Sequence, residues 1–227
     1  MKERGMIFNG EMVRAILDGR KTQTRRPIKW KQTRFTEIAA RGDGSAWPWS
    51  EDAEPGCDFW HPCPFGAVGD RIWVRETFSC IGNEDGHPVN ELGDLCSRED
   101  AQRIYRASAI QRENNYGLWT SPDGFDFEGA WTPSIHMPRW ASRITLEITD
   151  VRVERLNSIS EEDAQAEDVE RFRDGFWRHY NPDWTQFQLS ARGSFLTLWD
   201  YIYGKNNRQA NPWVWVIAFR RVEGEAA

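Results

Sequence analysis

Residues 212–222, PWVWVIAFRRV, form a nearly continuous apolar run ending in charge. A short run rich in valine, isoleucine and aromatic residues predicts a strand, and one with so little polar surface predicts a central position in a sheet. SRITLEITDVRVERL, 142–156, is the clearest second strand. Ile144, Leu146 and Ile148 alternate, and Val151 and Val153 continue after a change of phase at Thr149-Asp150 that predicts a bulge or bend. Arg71 to Phe78 predicts a third strand with Ile72, Val74 and Glu76 on one side, and RIYRAS at 103–108 a short fourth. Three helices are predicted. Residues 9–18 have Asn9 as N-cap and Gly19 as stop. Residues 160–172 start at an N-cap Ser160, with acids in the first turn and Ile159 placed as a staple. Residues 193–203 are closed by Gly204. Residues 39–66, 82–100 and 111–133 are dense in Gly, Pro, Ser and aromatics and predict loops. Strands joined mostly by loops give an α+β pattern, not repeated βαβ units, and a small, partly closed barrel decorated by helices fits it. There are no internal repeats.

The 227 residues suffice for one sizeable core, or for one domain with large insertions. With 13 tryptophans that core is rich in rings, and global disorder is not expected. No apolar stretch is long enough for a membrane helix, and MKERGMIFNGEMV lacks the apolar centre of a signal peptide. Cys57, Cys63, Cys80 and Cys96 follow no framework spacing, so reduced thiols in a cytoplasm are expected. The net charge is -6, but residues 1–34 hold ten Lys/Arg and three Asp/Glu. The polarity is therefore local, which suits a focused anion site better than a surface that coats nucleic acid.

The centre of that positive charge is GRKTQTRRPIKW, 19–30, with Arg20, Lys21, Arg25 and Arg26 around Thr22 and Thr24. Lys21 and Thr24 share a side on a helical turn and face opposite ways on a strand. Such a pair can bind an anion, activate a hydroxyl, or simply sit at a turned surface. Glu167, flanked by Ala164 and Ala166, is less easily explained by the helix dipole than Glu161, Glu162 and Asp163. Glu76 points inward with Ile72 and Val74 and needs a cationic partner, for which Lys21, Arg25 or Arg26 are candidates. Cys57, His61, Cys63 and Cys80 contain zinc-ligand types, but C-x3-H-x-C is not a standard zinc spacing, and no metal or cofactor is assigned. His136, Arg139 and Arg143 precede the long strand, and Arg139 is a further candidate for an anion site. No P-loop, G-x-S-x-G, H-E-x-x-H or dinucleotide fingerprint occurs.

Together MIFNGEMVRAILDGRKTQTRR, GDRIWVRETF, SRITLEITDVRVERL with SEEDAQAED, and PWVWVIAFRRV resemble the ASCH domain family, in particular its long phage and prophage members. The resemblance implies a single domain over 1–227 with a PUA-like small barrel, interrupted by insertions at about 39–66 and 82–133. A small bacterial ASCH enzyme hydrolyses N(4)-acetylcytidine with a lysine and a threonine of a G-x-K-x-x-T element and a glutamate in the helix after the central strand. Those positions match Lys21, Thr24 and Glu167 here. Where longer relatives usually carry glycine after that glutamate, this chain has Asp168. The implied function is hydrolysis of an amide on a modified nucleoside or nucleotide, with Arg20, Arg25, Arg26, Glu76 and Arg139 around the substrate. Non-catalytic binding of RNA or nucleotide, and RNA cleavage, are the other activities the resemblance allows. A short Lys21–Glu167 ion pair in a cleft is the feature expected of the enzyme.

Overall fold

The computed structural model describes residues 1–29, 36–51, 58–172 and 174–222. They form a mixed α+β structure, mostly sheet with few helices. The strands make open sheets, and among the described residues none closes into a barrel. No described helix is long and apolar enough to cross a membrane. The chain divides into two compact units. One comprises Met1–Lys2, Gly19–Asp70 and Glu147–Arg220; the other comprises Glu3–Asp18, Arg71–Leu146 and Arg221–Ala227.

In the first unit the Trp213–Arg221 strand lies between Thr145–Arg155 and Gln23–Pro27. The apolar run is thus central, as its composition predicts. It pairs antiparallel with Gln23–Pro27, Thr24 opposite Ile217 and Arg25 opposite Val216. Both of its faces are covered. Val214 and Val216 join a cluster with Leu156, Ile159, Ala164, Val169, Phe195, Leu198 and Trp199. Trp215, on the alternate face, meets the Trp47 ring edge-on at 5.0 Å. Helix Ala191–Tyr203 supplies much of the cluster. It starts two residues before the predicted 193 because the Ser190 hydroxyl accepts from the Gly193 N–H.

Helix Glu161–Ala166 begins as expected, with Ser160 accepting from Asp163 N–H, but it is much shorter than the predicted 160–172. It stops at Glu167 because Asp168 adopts a left-handed conformation, φ 65°. That conformation ends a helix and is ordinarily given to glycine, with Asp and Asn the usual exceptions.

Residues 39–66, read from sequence as loop, contribute to a three-stranded antiparallel sheet of Thr36–Ala40, Ala46–Glu51 and Asp58–Trp60. The Arg41 guanidinium lies 3.8 Å above the Trp47 ring and 5.5 Å from the Trp60 ring, so ring and cation stacking organises what the Gly/Pro density disguises.

In the second unit Glu3–Ile7 pairs in parallel with Arg71–Arg75, and helix Gly10–Leu17, capped by Asn9, buries Val13, Ala15 and Ile16. The predicted 71–78 strand breaks at Glu76-Thr77, and Phe78–Cys80 pairs with Arg103–Tyr105 instead. The expected loop at 111–133 holds strands Leu118–Thr120 and Asp126–Glu128, which form a small sheet with Ile110–Gln111. Ile81, Val89, Ile104 and Phe127 form its core, with Trp119 and Trp131 packed on them.

Candidate functional site

Residues 23–27 are a strand, so alternation decides which side chains meet. Lys21, Gln23 and Arg25 fall on one side, towards the end of helix Glu161–Ala166 and the Asp150–Glu154 stretch. Two backbone bonds fix the approach: Thr22 N–H donates to Ala166 O at 3.0 Å, and Phe219 N–H donates to Thr22 O at 2.9 Å. Lys21 Nζ then donates to Glu167 Oε2 at 2.8 Å and to Glu167 O at 2.9 Å. The Lys21 side chain is 0 % exposed and that of Glu167 5 %.

Arg25, also 0 % exposed, extends this pair into a network. Its Nη2 donates to Asp163 Oδ2 at 2.8 Å and to Glu154 Oε2 at 3.1 Å, and its Nη1 lies 3.6 Å from Glu167 Oε1. Arg152 closes the far side. Its Nη2 reaches Asp163 Oδ2 at 2.8 Å and Gln23 Oε1 at 3.3 Å. Its Nε and Nη1 reach Glu154 Oε1 at 2.6 Å and Asp150 Oδ2 at 3.0 Å. Lys21, Arg25 and Arg152 thus face Asp150, Glu154, Asp163 and Glu167, an excess of one negative charge. Burial pulls the Arg152 guanidinium towards losing its proton, but the Glu154 and Asp150 hydrogen bonds outweigh it and raise its pKa.

Not every polar atom in the network is satisfied. Glu167 Oε1, Arg25 Nε and Nη1, and Gln23 Nε2 are buried and make no hydrogen bond among the described residues. Buried polar atoms without partners are costly and rare, and they concentrate where strain or chemistry is held.

The other predicted site residues are distributed differently. Thr24 is buried, but alternation turns its side chain to the face opposite Lys21 and Arg25, so the threonine is not brought to the Lys21–Glu167 pair. Arg26 shares the Thr24 face. Arg20 is exposed and ion-pairs with Asp168, the left-handed residue just after Glu167. Glu76 does point inward, as expected, but its partner is none of Lys21, Arg25 and Arg26. Arg143 holds it through two bonds, Nε–Oε1 at 2.9 Å and Nη2–Oε2 at 3.0 Å. Lys21 and Arg25 are committed to carboxylates of the first unit, whereas Glu76 and Arg143 both belong to the second. Arg139, also in the second unit, donates to Glu3 Oε2 at 2.9 Å. His61 Nε2 lies 2.9 Å from Ser50 Oγ; Cys57 falls outside the described residues. Among the described residues no group of three His, Cys, Asp or Glu is placed to hold a metal ion.

Five members of the network escaped the sequence reading: Gln23, Asp150, Arg152, Glu154 and Asp163. Asp163 reads as a helix-dipole acid. A signal for three of the others was present, since Asp150, Arg152 and Glu154 recur at every second position of a strand and so share a face.

The Asp168 conformation gives a direct test. Asp168→Val should cost about 1–2 kcal/mol in urea unfolding, because a β-branched residue resists positive φ. Asp168→Gly should stay within about 0.5 kcal/mol, relief of backbone strain offsetting loss of an exposed ion pair. Equal losses in both would mean that the Arg20 contact, not the backbone, sets the effect.

Compared with protein-family models, with curated proteins and with solved structures, the chain matches none.

Proposed function

We propose that the chain is an ASCH-type, nucleoside- or nucleotide-directed amidohydrolase of the cytoplasm, with Glu167 and Lys21 as its working pair and an N(4)-acetylcytidine-like amide as substrate. One observation carries this reading: the 2.8 Å buried pair in which Lys21 occupies one carboxylate oxygen of Glu167 while Oε1, 3.6 Å from Arg25 Nη1, makes no hydrogen bond among the described residues. A PUA-like barrel architecture, implied by the same resemblance, belongs to the same proposal.

In this scheme Glu167 Oε1 takes a proton from a water that attacks the amide carbonyl, and the Lys21 ammonium stabilises the tetrahedral oxyanion. Collapse breaks the C–N bond, and the proton held by Glu167 passes to the departing amine nitrogen. The products are the nucleoside with its exocyclic amine free and a carboxylic acid. Arg25 and the Glu167 backbone carbonyl position the pair. Of the two attacking groups open to such a site, the Thr24 hydroxyl and a water held by Glu167, this scheme uses the water, because Thr24 lies on the other face of its strand.

Incubation with N(4)-acetylcytidine, with chromatographic separation of cytidine and acetate, tests the proposal. Release that is lost in Glu167→Gln and kept in Thr24→Ala supports attack by water. Loss in Thr24→Ala with the fold intact would restore the hydroxyl as nucleophile. A second reading is binding of RNA or nucleotide without turnover; the Lys21 and Arg25 side chains are 0 % exposed, so in that reading the Lys21–Glu167 pair is a structural ion pair and exposed cations such as Arg20 meet the ligand. No release, together with RNA binding that weakens in high salt, would decide for it.

A further inference from the structure

The first unit also contains a cavity of about 660 Å³ that shares no residue with the Lys21–Glu167 network. Its walls come from residues 179–188, from helix Ala191–Tyr203 and from the short helix Lys205–Gln209 that follows it. The volume is that of a small-molecule site, for which roughly 300–1,000 Å³ is usual.

Its most specific feature is a flat aromatic pair. The His179 and Trp184 rings are stacked at 5.2 Å between centroids with 5° between planes. Asn181 N–H donates to His179 Nδ1 at 3.1 Å, which fixes the imidazole ring. His179 covers one face of Trp184, yet Trp184 remains 52 % exposed, so ring surface is still presented to the cavity. Tyr201, 67 % exposed, lines the same space.

The charge is equally specific. Arg208 is engaged, its Nε donating to Asp200 Oδ1 at 2.8 Å. Lys205 also lines the cavity, and among the described residues it has no ion-pair partner. One uncommitted cation beside an open aromatic platform selects a planar ring that carries an anionic group.

We propose that this cavity is a second site, for a nucleoside monophosphate, with the base stacked on Trp184 and the phosphate facing Lys205. Base-on-aromatic stacking tolerates any base, because each has a π-face. The site should therefore select for ring and charge and show little preference between purine and pyrimidine.

Calorimetric titration of the full chain with AMP, CMP, adenosine and ribose 5-phosphate tests this. AMP and CMP should bind saturably, and adenosine and ribose 5-phosphate each about tenfold or more weaker. Trp184→Ala should weaken AMP by about tenfold or more. Lys205→Ala should weaken AMP but not adenosine. Glu167→Gln should leave AMP affinity unchanged, which separates this site from the amide chemistry above. The proposal is overturned by absence of saturable AMP binding, by AMP affinity unchanged in Trp184→Ala, or by binding lost in a Glu167→Gln protein whose circular dichroism and urea midpoint show it folded.

Discussion

Replacing Arg25 with methionine should lower stability by about 3–5 kcal/mol, the cost of removing one partner from a buried charge network. Methionine keeps much of the stem and deletes only the guanidinium. What remains is a cluster in which Asp163, Glu154 and Glu167 have lost the cation that bridges them. The urea midpoint should fall with little change in slope, since the surface exposed on unfolding is nearly the same. A loss under about 1 kcal/mol would mean that Lys21 and Arg152 suffice, and that Arg25 is held for function and not for the fold. A pH signature accompanies the change. Burial pushes the Asp163 carboxyl up, but the Arg25 hydrogen bond, then the Arg25 and Arg152 charges, outweigh it and hold the pKa below its ordinary 3.8. A group depressed in the folded state contributes stability above its unfolded pKa and loses it as pH falls through the folded value. The native protein should therefore weaken on acidification below about pH 4. Arg25→Met should weaken less over that window, because it has less of this contribution to lose.

Arg143→Ala should be as damaging in the second unit. Glu76 is 2 % exposed, and Arg143 satisfies both of its carboxylate oxygens. Truncating the arginine strands a buried carboxylate at a cost of about 3–5 kcal/mol. It also removes the contacts of Arg143 with Ser108 Oγ at 2.7 Å and the Tyr105 ring at 4.1 Å. The double variant Glu76→Leu with Arg143→Met should recover most of that loss, since an apolar pair needs no counter-charge. A double-mutant cycle reads the coupling directly, and additive losses would show that the two side chains act independently.

The parts of the structure set by local pattern were legible in the sequence. The central strand at 213–221 follows from an apolar run with no wet face, and the starts of two helices follow from Asn9 and Ser160, whereas the third helix begins at its Ser190 cap, two residues before the position its apolar pattern predicts. The Lys21–Glu167 pair was expected from the resemblance, and the two residues do meet. What was not legible depends on partners distant in sequence or on backbone conformation. Glu76 announced that it needed a cation, but nothing local separates Arg143 from Lys21 or Arg25 as the donor. The early end of the 161–166 helix rests on one dihedral, that of Asp168, in a stretch whose composition continues to favour helix. The three-stranded sheet at 36–60 is marked by tryptophans and an arginine that stack across strands, while its Gly and Pro content reads as loop. The position of Thr24 turned on whether 21–27 is helix or strand, which K-x-x-T spacing leaves open.

The order of strands in the first unit has a consequence for biosynthesis. Gln23–Pro27 leaves the ribosome early, yet its hydrogen-bonding neighbour is Trp213–Arg221, separated from it by almost the whole chain. At the usual rate of synthesis the wait is roughly ten to forty seconds. Throughout it Gln23–Pro27 lacks its strand partner, so Lys21 and Arg25 are not yet held against their carboxylates. The unit cannot assemble from its N-terminus forward. It closes in a late step, when the most apolar segment of the chain emerges, and until then the nascent protein depends on whatever shields unpaired strand edges in the cell.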